Sequence, residues 1–188
     1  MSFLAESQRK LILDLLLKRI PEERFFSDYP ADPRSIHSLI LGMLQRGLAE
    51  KDADAVDLGL MLMHRYGVSK DYLEVLHALA LEPWHTSHEN VVSGLAKIKD
   101  PSSVDVLART AVAHHAYKEW DKAFALGTKS IYGLWEIQTP EAVAKLGELI
   151  GNKNRVLKST AKELLQDIAK EGNSESARAA ARGHLKKK

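Results

Sequence analysis

The amino-acid sequence predicts an all-α chain of about ten helices, and three features carry that prediction. Apolar residues recur at helical spacing almost throughout, and no alternating stretch is long enough to argue for a strand. Capping side chains precede prolines at Asp32-Pro33, Asp100-Pro101 and Thr139-Pro140. The second half of the chain repeats itself at a period suited to pairs of helices.

The first helix is expected over 3–19. Its run Leu11–Leu17 contains Asp14 and is too short to span a bilayer. Glu6, Arg9 and Lys10 stand where a signal peptide would be apolar, so a cytoplasmic location away from membranes is expected. Arg24-Phe25-Phe26-Ser27-Asp28-Tyr29-Pro30 reads as an aromatic loop folded back over the N-terminal helices. Asp32-Pro33 opens a helix over 33–49. Asp52, Asp54 and Asp57 echo a calcium loop, but Asp57 stands where an EF-hand needs glycine. They read as the polar turn and acidic first turn of a helix over 53–66, where carboxylates suit the dipole. Ser69 caps a helix over 70–81. Thr86 and Glu89 have capping-box spacing and open a helix over 87–98. Asp100-Pro101 opens 102–115, a long helix follows over 122–137, and Thr139-Pro140 opens 140–150. The last two helices are expected over 154–171 and, behind Ser174, 175–185.

The chain has 188 residues and no cysteine, with 28% charged and 45% hydrophobic residues. That suits one soluble domain over 1–188 and excludes disulfides, thiolate zinc sites and a cysteine nucleophile. Net charge is +2 overall, too small to indicate a dedicated nucleic-acid binder. It is unevenly spread: zero over 1–50, −4 over 51–150 and +6 over 151–188, where it ends in a basic tail at 186–188. No glycine-rich phosphate loop, dinucleotide fingerprint or nucleophile elbow occurs.

The repeat is legible residue by residue. Gly94-Leu95, Ile98, Pro101, Val104 and Leu107 recur 39 positions later as Gly133-Leu134, Ile137, Pro140, Val143 and Leu146. Asp100 meets Thr139, another capping residue. A third copy holds Leu165, Ile168, Asn173-Ser174, Ala177 and Ala180. Two helices in about 30–40 residues mark an α-solenoid. Residues 1–69 carry helices without a visible repeat.

Gly94–Pro101 and Gly133–Pro140 resemble the run that ends the inner helix in the HEAT-repeat family. The resemblance covers roughly 70–185 and implies a right-handed α-solenoid of antiparallel helix pairs. Many HEAT repeats carry an arginine early in the inner helix; Ser87, Gly127 and Lys158 stand at those positions, so the Arg–Asp ladder is missing. Trp84-His85-x-x-His88-Glu89, Asp100-Pro101-x-Ser103-Val104, Lys122–Ile137 and Thr139-Pro140-Glu141-Ala142 resemble small bacterial HEAT-repeat proteins found beside polymorphic toxins. That implies an immunity or adaptor protein, not an enzyme and without cofactor or metal, which binds another protein such as a toxin domain and occludes it.

Two motifs invite chemistry. His85, His88 and Glu89 have the residue types of a zinc site, but the order His-x-x-His-Glu matches neither the zincin pattern nor its inverse, and structural roles are expected. Trp120-Asp121 is a two-residue match to DNA glycosylases built on HEAT-like folds, which makes nucleic-acid binding or base excision the alternative function. The three tryptophans, Trp84, Trp120 and Trp135, are expected between repeats as buried packing. The partner surface is expected on the inner helices, at Glu89, Asn90, Ser93 and Lys97, then Thr128, Lys129, Tyr132, Trp135 and Glu136, then Lys158 and Lys162. Tyr132 and Trp135 are the expected hot spots.

Overall fold

The computed structural model describes residues 4–29, 35–122 and 124–186. Among them the chain forms eleven α-helices and no strand. Two compact units, Met1–Val91 and Val92–Lys188, divide the chain inside one helix.

In the first unit the helices are α1 (Glu6–Leu16), α2 (Glu22–Asp28), α3 (Ile36–Glu50), α4 (Ala53–Tyr66), α5 (Leu73–Leu79) and the start of α6 (His88–Ile98). α3 packs along α4 and touches α5, while α1 packs on α2 and α4. Ile12, Leu15, Ile40, Leu44, Leu60, Met63, Leu76 and Leu79 are all shut off from solvent there. Each such side chain stabilises the fold by about 1.5–3 kcal/mol relative to an exposed one.

The aromatic stretch at 24–29 corrects the expected loop, for it is the body of α2; Pro30 and the Asp32-Pro33 cap lie outside the described residues. Glu22 and Glu23 sit in its first turn, favoured by the dipole. Phe25 and Tyr29, one turn apart, stack with ring centroids 5.2 Å apart and are both buried. Phe26 meets Tyr66 edge-on, and Arg65 and Tyr66 both donate to Glu22. The segment does fold back onto its neighbours, as a helix.

The expected caps at Ser69, Asp100, Thr139 and Ser174 all accept backbone N–H groups at helix starts, and Asp52, expected in a polar turn, does so as the cap of α4. Several helices are shorter than the periodicity suggests. The span expected over 3–19 stops at Leu16, and Lys18 then takes the left-handed conformation. The span expected over 70–81 begins as a 3₁₀ turn, Lys70–Tyr72, before α5, and 102–115 likewise begins with Pro101–Ser103. α6 starts at His88, one residue later than expected, so its cap position is Ser87 and not Thr86. The Ser87 carbonyl accepts from Asn90 and Val91, while Thr86 is exposed.

Tyr72 is fully buried and its hydroxyl lies 2.5 Å from His37 Nδ1. Burial pushes the phenol up to about 12. A folded value above the unfolded one, about 10, means that the neutral form stabilises the fold fully below pH 10. That contribution, at most about 3 kcal/mol, is lost as pH rises from 10 through 12. We expect the urea midpoint of the Tyr72→Phe variant to fall less steeply than wild type over this range, while it starts about 1 kcal/mol lower at pH 8 for want of the His37 hydrogen bond.

In the second unit α6 continues into α7 (Val104–Ala111), α8 (Ala125–Ile137), α9 (Pro140–Leu149), α10 (Arg155–Glu171) and α11 (Glu175–Lys186). α8 packs on α7, α9 and α10; α9 packs on α7 and α11; α10 packs on α9 and α11. Leu95, Leu107, Ile131, Leu134, Val143, Leu146, Leu165 and Ile168 are shut off from solvent in its core. α11 buries only the small side chains Ala177 and Ala181, which lets it approach its neighbours closely. Lys186 ends α11, and the rest of the basic tail lies outside the described residues. The helix expected over 122–137 begins instead at Ala125, behind Phe124 in the left-handed conformation, and α7 ends at Ala111. The connection between these two helices, expected over 116–121, therefore runs over 112–124.

Candidate functional site

The histidine cluster is wired into the backbone of the first unit. His85 is buried, its Nε2 lies 2.8 Å from the Leu79 carbonyl, and its Nδ1 accepts from the Ser87 N–H at 3.1 Å. The second bond requires a bare Nδ1, so the proton is on Nε2 and the ring is neutral. Burial, opposed by the Leu79 hydrogen bond and by Glu82, holds its pKa below the ordinary histidine value. His88 stacks on it at 4.1 Å between centroids and puts its own Nε2 2.7 Å from the Glu82 carbonyl. The Ser87 hydroxyl donates to Asp57 at 2.8 Å. Serine, histidine and aspartate thus meet without the order of a catalytic triad, since the histidine nitrogens serve backbone groups and the serine serves the carboxylate. Among the described residues no group of three or more His, Asp or Glu side chains could hold a metal ion, and no helix is long and apolar enough to cross a membrane.

The partner-binding residues expected on α6 are divided between the units. Glu89 and Asn90 are half-buried in its first turn, where the Asn90 carbonyl lies 3.1 Å from His64 Nε2. Ser93 is half-buried and Lys97 exposed further along. On α8, Tyr132 is 48% exposed and meets Trp135 edge-on at 6.4 Å. Trp135 is half-buried and donates through Nε1 to Asp167 of α10 at 2.7 Å. No sequence pattern marked Asp167. Lys129 is exposed, Glu136 pairs with Lys99, and the half-buried Thr128 places its hydroxyl oxygen out of solvent. Lys158 and Lys162 are exposed on α10. Tyr132, Trp135 and Asp167 therefore form one cluster, and the two lysines belong to another.

A concave feature lies beside exposed aromatics, at the Trp120-Asp121 pair. Segment 112–124 surrounds a cavity of about 280 Å³, whose lining includes His114, Lys118, Glu119, Asp121 and Phe124. Trp120 projects beside it and is 76% exposed, which corrects the expectation of a buried inter-repeat tryptophan. The indole does not hang free. Its Nε1 donates to the Tyr117 carbonyl at 2.8 Å, and Lys118 Nζ lies 5.9 Å from the Trp120 ring and 5.8 Å from that of Tyr117. Asp121 accepts from the Ala125 N–H at 2.8 Å and so satisfies the first N–H of α8. Val112 and Phe124 are exposed too. The signal available in the sequence was Tyr117-Lys118-Glu119-Trp120, a polar and aromatic run without helical periodicity.

No protein-family model, no curated protein and no solved structure matches the chain.

Proposed function

We propose that this chain is a non-catalytic protein-binding module of HEAT-like helix pairs, and that segment 112–124 is its main contact. The observation that carries the reading is Trp120, 76% exposed yet clamped by a hydrogen bond and a stacked lysine. An indole held in place loses little entropy on docking, and tryptophan leads the residue types that dominate binding energy. Tyr132 and Trp135 supply a second, smaller aromatic anchor on α8. The solenoid reading is supported in the second unit by packing between alternate helices, α8 on α10, α7 on α9 and α9 on α11.

The partner we propose is a basic one such as a nucleic-acid-attacking toxin domain, which the module would occlude as an immunity or adaptor protein. The net charge of −4 over 51–150 complements it. The test is an affinity capture from the source cells with the tagged full chain at two salt concentrations. One stoichiometric protein is expected, bound roughly thirtyfold more weakly by Trp120→Ala, since a hot spot contributes about 2 kcal/mol or more. Capture of the same protein by the Trp120→Ala chain at wild-type affinity would refute this site. The alternative is nucleic-acid binding, favoured by Trp120 beside a cavity lined by Lys118, Lys122 and Asp121. It calls for recovery of nucleic acid alone, released by salt.

A further inference from the structure

We infer that a second cleft of the same unit, between α10 and α11 beside the end of α9, binds a small phosphomonoester. Its volume is about 250 Å³, and Ile150, Lys158, Lys162, His184 and Leu185 line it. Lys158 and Lys162 are one turn apart on α10, so their ammonium groups leave the helix on the same side. Two like charges at this spacing repel by a few tenths of a kcal/mol unless an anion lies between them.

Neither lysine side chain, nor the His184 ring, makes an ion pair or hydrogen bond among the described residues, and no carboxylate lines the cleft. Three neighbouring cations are tied to other groups. Arg178 and Arg182 both bond Glu175, Arg178 also holds the Gly172 carbonyl, and Lys145 pairs with Asp105 and Glu148. Lys158 and Lys162 thus stand as an adjacent pair of cations at one cleft, whereas a duplex needs a longer row of cations to follow its backbone.

The seating of His184 is built in. Its ring lies over Gly147 of α9 so closely that a Cβ at that position would fall 2.2 Å from Nδ1. The glycine leaves room for the imidazole at the cleft wall.

The chemistry selects a phosphate. No arginine fork lines the cleft to grip a planar carboxylate in two places, and lysines act as point charges that suit a tetrahedral dianion. A phosphomonoester carries nearly two negative charges at neutral pH, matching two ammonium groups. Ile150 and Leu185 offer an apolar wall for its organic part. The volume equals that of about eight waters, enough for a phosphate with a small body.

Phenyl phosphate is the probe. It is titrated into the full chain at pH 7.5 in phosphate-free buffer while the His184 ring resonances are followed by NMR. A saturable shift is expected, with affinity at least tenfold lower in the Lys158→Ala/Lys162→Ala double variant and unchanged in Lys153→Ala, which removes an exposed lysine that does not line the cleft. Gly147→Ala is expected to weaken binding at constant charge by displacing the ring. The proposal is overturned if no saturable shift occurs, or if the double variant and Lys153→Ala bind alike. It is also overturned if a short DNA duplex displaces phenyl phosphate at moderate salt, which would make the cleft part of a nucleic-acid surface.

Discussion

His85→Leu is expected to lower the stability of the chain at pH 7.5 by about 3 kcal/mol, read as a fall in the urea midpoint. Leucine is close enough in size to keep the space filled, so the loss is of polar partners. The Ser87 N–H would remain buried without its acceptor, at about 1–3 kcal/mol, and the Leu79 carbonyl would lose one of its two donors and keep the Glu82 N–H. The ring stacked on His88 is lost as well. Trp84 stands edge-on to His85 at 5.0 Å, so its fluorescence reports this corner directly. The pH dependence separates the histidine from a mere packing defect. Because burial depresses the folded pKa, the neutral ring contributes its full stability above the unfolded value, about 6.5, and loses it as pH falls below that. The gap between wild type and His85→Leu should therefore narrow as pH falls from 7 to 5. A constant gap between the two across that range would show that His85 does not carry the acid sensitivity.

How much of this was legible in the sequence depends on the range of the interaction involved. Caps at Ser69, Asp100, Thr139 and Ser174 are decided within three residues, so a local reading finds them. The buried apolar positions follow the same logic, since Leu95, Leu134 and Leu165 occupy one register of the repeat and are all shut off from solvent. α2 was missed because its helicity rests on Phe25, Phe26 and Tyr29 packing together and against Tyr66, a contact across some forty residues. Segment 112–124 was missed for the opposite reason. Apolar periodicity runs on through Val112 and back from Phe124, yet both side chains are exposed, and the chain instead turns at Ala116–Lys118. Of the expected surface residues, Tyr132 and Trp135 meet, while Trp120, expected in the core, became the most exposed large apolar side chain described. Fold periodicity locates buried faces, but it carries no information about which irregular segment will hold an aromatic outward.

The second large effect is expected from Gly127→Ala, which should destabilise the chain by about 2–3 kcal/mol and lower Tm by roughly 4–10 °C. On local grounds the sign should be the reverse, because alanine is favoured over glycine in a helix by about 1 kcal/mol. Gly127 lies in the first turn of α8, where a Cβ would sit 2.6 Å from the Ala111 carbonyl oxygen and 2.7 Å from Leu157 Cδ2. The leucine can turn aside, but the carbonyl belongs to the last turn of α7 and cannot move without moving that helix. Close packing of α8 on both α7 and α10 thus depends on a missing side chain. Gly42→Ala is the matched control, since it changes an exposed position inside α3 with nothing within 4 Å of the new Cβ. That variant should gain about 0.5–1 kcal/mol. Opposite signs from one chemical change would establish steric exclusion at Gly127, and a gain at both positions would disprove the close approach. Gly127 also lines the cavity under segment 112–124, so the same change should disturb partner capture through Trp120 even in the fraction that remains folded. Capture at wild-type strength by a folded Gly127→Ala chain would mean that the aromatic contact does not depend on the α7–α8 packing.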